Sequence, residues 1–122
     1  MYSMKSLAIP LSIRTVFTQK EEDLQKHTGM QCELNYHLES LSYNSTQLGH
    51  RIINNHKNQI PIFDETKELL DRSEYHYDEI RKIYEYYIER KYNYFDQEYI
   101  DYIMDTMRSA LFIIMCYYSM KN

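Results

Sequence analysis

Arg51 and His56 stand five residues apart in a chain that offers few pairs able to do chemistry. A guanidinium can grip a phosphate through paired N–H donors, and an imidazole can move a proton near neutral pH. Glu33 and His37 lie one helical turn apart, a spacing at which a carboxylate and an imidazole can share a metal ion. His76 is a further candidate, on a stretch with helical spacing. Cys32 and Cys116 are isolated, with no C-x-x-C and no nearby histidine at zinc spacing. They read as small core residues of a chain kept in a reducing compartment, and the expected location is cytoplasmic.

Arg51-x4-His56 resembles the Arg-x(4–6)-His signature of the HEPN ribonucleases, small helical domains in which that pair cleaves RNA at a dimer cleft. The resemblance covers the six residues from Arg51 to His56, and Ile52 stands where the signature usually has a polar residue. It implies Arg51 and His56 as catalytic residues of a ribonuclease. Both also suit the solvated end of a helix, beside His50 and Lys57. Di-metal bundles draw carboxylates and Glu-x-x-His pairs from four helices, and no second such set accompanies Glu33 and His37. The expectation is therefore no metal and no cofactor, with His76 hydrogen-bonded inside a helical seam.

The elements that must position these residues are helices. Gly 2 and Pro 2 in 122 residues leave too few turn formers for a β architecture. From Leu24 a seam recurs in steps of three and four through His27, Gln31, Leu34, Leu38, Leu41, Ser45, Leu48 and Ile52. Such steps put every member on one helix face, as in a coiled coil. The polar run Asn54 to Gln59 and then Pro61 stop that helix. A second seam follows: Ile62, Thr66, Leu69, Ser73, His76, Ile80, Ile83 and Tyr87. Its other face carries i,i+4 pairs, Lys67–Asp71, Glu68–Arg72, Asp78–Lys82 and Arg81–Glu85. Folding the two helices back about residue 60 sets Leu34 against Tyr87, Leu38 against Ile83, Leu41 against Ile80 and Ile52 against Leu69. The same register sets Ser45 against His76, Asn55 against Thr66 and Gln31 against Arg90. Polar members thus meet polar members, as buried polar groups require, and only Leu48 opposite Ser73 is mixed.

Asp96 is a candidate N-cap for a third helix, with the stripe Ile100, Ile103, Met107, Leu111, Ile114 and Tyr118. Without Gly or Pro between Tyr92 and Asp96, the second and third helices could also run on as one. The expectation is an all-α fold, a long antiparallel helical hairpin plus a C-terminal third helix, in one domain. Its parts are an N-terminal arm over 1–16 and helices over 17–59, 62–94 and 96–120, the first one weakened at Gly29.

From Ala110 to Tyr118 the third helix is apolar on every side, and a helix apolar all round is buried all round. That run holds nine residues, where a membrane span needs about twenty. Two antiparallel helices cover only part of it, so the remainder should meet a partner. Eleven of the 14 tyrosines lie from Tyr75 onward, and tyrosine joins a large apolar area to a polar tip, which suits contact surfaces. A net charge of −4 makes the chain a poor match for a phosphate backbone. The sequence therefore reads as a non-enzymatic protein–protein interaction module, an adaptor, inhibitor, secretion-partner or assembly subunit. It would bind another protein or itself through Tyr92, Tyr94, Tyr99, Tyr102, Phe112, Ile113 and Met115. The HEPN-type ribonuclease is the alternative.

Overall fold

The alternating seams become the buried faces of long helices in the computed structural model, which describes residues 11–61, 64–89 and 95–121, with side chains at 27–61, 66–87 and 95–120. Helix α1 spans Leu11–Lys57, α2 spans Asp64–Glu89 and α3 spans Gln97–Lys121. No strand occurs among the described residues. The fold is an all-α hairpin with a third helix. By packing, the chain divides into two compact units, Met1–Glu33 and Leu34–Asn122.

In the first unit α1 begins at Leu11, so residues 11–16 are helical and do not belong to an arm. Gly29 does not interrupt the helix, and a Cβ added there would meet open space. Cys32 is exposed, which corrects its reading as a core residue.

In the second unit the α1 seam is buried from Leu34 through Leu38, Leu41, Ser45 and Leu48 to Ile52. On α2 the seam is buried at Thr66, Leu69, Ser73, His76, Ile80, Ile83 and Tyr87. Asn44, His37 and Leu70 are buried as well, His37 at its contact with His76 of α2 and Leu70 in a cluster with Ile114 and Tyr117 of α3. The solvated face of α2 carries the expected Lys67–Asp71, Glu68–Arg72 and Arg81–Glu85 pairs. Asp78 and Lys82 do not pair with each other. Asp78 takes Arg81 and Lys82 takes Glu79, both at i,i+3.

Helix α1 ends in a Schellman motif. The Ile60 N–H donates to the Asn55 carbonyl at 2.8 Å, and the Gln59 N–H to that of His56 at 3.3 Å. Gln59 supplies the left-handed residue, at φ 54°, a conformation in which glycine has no Cβ clash. Gln59→Gly should therefore raise stability by up to ~1 kcal/mol, measured as a higher midpoint in a urea melt. Asp96 caps α3, its Oδ1 accepting from the Tyr99 N–H at 2.8 Å. Phe95 and Asp96 are not helical, so helices two and three are separate.

The facing of α1 and α2 differs from the expected register at His76. Its ring lies 2.9 Å from the ring of His37, while the Ser45 hydroxyl donates to the Ser42 carbonyl of its own helix. His37 lies roughly two helical turns from Ser45, about 12 Å along the axis. A heptad seam explains how this escapes a reading by pattern. Sliding one helix by seven residues again lays seam positions over seam positions and brings His76 to Leu38, beside His37, so periodicity alone does not choose between the registers.

Ser73 is fully buried, and its hydroxyl has no hydrogen-bond partner among the described residues. An unsatisfied buried hydroxyl costs ~1–3 kcal/mol, so Ser73→Ala should leave stability unchanged or raise it by ~1 kcal/mol. A drop in melting temperature would show that the hydroxyl is bonded after all.

Candidate functional site

Helix α3 packs against both arms of the hairpin. Ile113 lies over Gly49 of α1, where an added Cβ would stand 3.5 Å from its Cδ1. Ile114 and Tyr117 join Leu48, Ile52, Leu69 and Leu70 in one apolar cluster. The Tyr118 hydroxyl donates to Glu74 Oε2 on α2 at 2.9 Å. The Tyr99 hydroxyl donates to Asn35 Oδ1 on α1. Burial and the neighbouring Tyr102 push the Tyr99 phenol up to about 12, so it remains a neutral donor.

The buried stripe of α3 is Ile103, Ala110, Ile114 and Tyr117. Leu111 and Tyr118, expected inside, are exposed. Ile103 and Ile114 stay inside as expected while Ala110 and Tyr117 take the other inward places, which turns the buried stripe by roughly half a residue, ~50°. Small Ala110 lets the backbones approach, and Tyr117 then fills the volume beside Leu48 and Leu70. In a segment apolar on every side, hydrophobic pattern gives no preference between these rotations.

The rotation leaves an apolar strip on the outer face. Phe112 is 68% exposed, Met115 60% and Leu111 39%. Leu111 also lines a groove of ≈ 420 Å³ between α2 and α3, floored by Tyr77, Tyr84, Met104 and Met107 and rimmed by Arg81, Glu85 and Arg108. Arg81 is held by Asp78 and Glu85, and Arg108 by Asp105. From Ser109 to Met120 α3 carries no charged side chain.

The residues expected at a contact surface therefore separate. Phe112 and Met115 are exposed and adjacent on the outer strip. Ile113 is partly buried against the core, which corrects its place among exposed contact residues. Tyr102 is exposed, and Tyr99 is half-buried in a ring series running Tyr87, Phe95, Tyr99, Tyr102. Tyr92 and Tyr94 lie outside the described residues.

Arg51 and His56 both lie on the last turns of α1 and are exposed. Five residues along a helix turn their side chains ~140° apart, so the two do not converge on one point within a chain. No protein-family profile matches this chain, and neither a characterised protein nor a solved structure resembles it. Its function must be read from its own surfaces.

The sequence reading missed the imidazole pair at the α1–α2 contact, His37 with His76. The one signal available was a repeated Tyr-His dipeptide, Tyr36-His37 and Tyr75-His76. Among the described residues, no helix is long and apolar enough to cross a membrane.

Proposed function

We propose that this chain is a non-enzymatic interaction protein that pairs with a second copy of itself along the outer face of α3. The observation that carries this is the strip of Leu111, Phe112 and Met115, open to water and continuous at Leu111 with the α2–α3 groove. Large side chains that project together into water lose free energy, ~1.5–3 kcal/mol for each one left uncovered rather than fully buried. A second α3 supplies what the strip lacks, an apolar ridge of the same kind, and the groove beside it can accept such a ridge.

Charge favours a second copy over the other faces of an acidic protein. The chain carries a net −4 with 26% charged residues, yet Ser109 to Met120 is uncharged. Two such strips meet without like-charge repulsion, and no buried charge has to be paired. Tyr102 and Tyr118, 44% and 45% exposed, provide polar tips where such an interface meets solvent.

Sedimentation of Phe112→Asp tests the face. Two carboxylates placed in one interface oppose each other and lose their water, so the variant should sediment as a monomer at concentrations where the wild type is associated. Association retained at wild-type strength would place the interface elsewhere.

A further inference from the structure

Buried where α1 faces α2 is a group that docking along α3 does not use. His37 and His76 are 4% and 7% exposed, and Nδ1 of one lies 2.9 Å from Nδ1 of the other. Two ring nitrogens so placed must have an electrophile between their lone pairs, either one shared proton or one cation. Glu79 stands one turn beyond His76 on α2, and its carboxylate oxygen and a ring nitrogen of His37 are within 4.8 Å. One helix thus contributes an imidazole and a carboxylate at i,i+3, and the facing helix a second imidazole.

We propose that His37, His76 and Glu79 bind a divalent transition-metal ion of the zinc class, with further coordination positions left to water or another ligand. Two imidazoles and one carboxylate are a recurring donor set for zinc and its first-row neighbours. Metal–nitrogen bonds of about 2.0–2.1 Å set two tetrahedral ligand nitrogens about 3.3 Å apart, so the pair needs to open by only a few tenths of an ångström. Burial, and then the neighbouring His37, lower the His76 pKa, and Glu79 opposes them more weakly. The rings of Tyr36 and Tyr75 stand edge-on to both imidazoles, with centroids 5.0 to 5.9 Å away, and shield them on the outer side. Glu79 now pairs with Lys82 at 3.0 Å, but the lysine is 64% exposed. A surface pair of that kind yields readily to a doubly charged ion.

The test is titration of the purified full chain with cobalt(II), and then zinc(II), slightly above neutral pH. One cobalt per chain should bind, with the intense visible bands of a four- or five-coordinate ion, and zinc should displace it. Saturating zinc should raise the melting temperature by several degrees. His37→Ala and His76→Ala should each abolish the cobalt bands. Glu79→Gln changes a partly exposed carboxylate, retains the imidazole pair and should weaken binding about tenfold or more, which keeps the test decisive where a histidine variant folds poorly. No cobalt bands in the wild type, bands that persist in His76→Ala, or unchanged affinity in Glu79→Gln would each overturn the proposal and leave a proton shared between two imidazoles.

Discussion

Leu41→Ala should cost the fold ~2–5 kcal/mol, a large part of the stability of a domain this size. Leu41 is fully buried, between Leu38 and the buried pair Asn44 and Ser45 on the same face of α1. Truncation removes three carbons from a packed layer, and the loss has two parts, transfer to water and the cavity left behind. The polar neighbours cannot spread into that cavity usefully, since Asn44 is held by its bond to the Ser40 carbonyl at 2.8 Å. Urea unfolding followed by circular dichroism measures the effect. A loss below ~1 kcal/mol would mean that the α1 seam is not packed as described.

The second large effect is a contrast between neighbours. Ile113→Asp should destabilise the chain by ~3 kcal/mol or more, because it sets a carboxylate against Gly49 and the apolar Leu48–Ile52 cluster. Phe112→Asp places the same charge on a residue that is 68% exposed and should leave the melting temperature of the single chain nearly unchanged. Both segments read alike in sequence, as part of an uninterrupted apolar run, and only the rotation of α3 separates them. Equal destabilisation by the two substitutions would contradict that rotation.

How far the sequence discloses this molecule depends on the feature. Spacing alone identifies the buried seams of α1 from Leu34 to Ile52 and of α2 from Thr66 to Tyr87, because three- and four-residue steps mark one face of a helix. The Asp96 cap and three of the surface ion pairs follow from local rules that tertiary packing does not override. The facing of α1 against α2 at His76 is different in kind. A repeat of seven is nearly indifferent to a slide of seven, so His76 fits the pattern opposite Ser45 or opposite Leu38, and the packed chain joins it to His37 beside Leu38. The candidate metal site was hidden by that slide, since His37 and His76 are far apart in the other register. Pattern was silent on the outer strip of α3 for the opposite reason. Where every residue from Ala110 to Tyr118 is apolar or aromatic, no face is marked, and the docking partners Gly49 and Glu74 decide which side turns inward.

The measurement that tests the central claim most directly is the solution mass of the pure wild-type chain across a dilution series. Sedimentation equilibrium should give twice the 15.0 kDa of one chain at high concentration and fall toward that value on dilution. A stable, non-aggregating monomer of 15.0 kDa at every concentration would contradict pairing along α3.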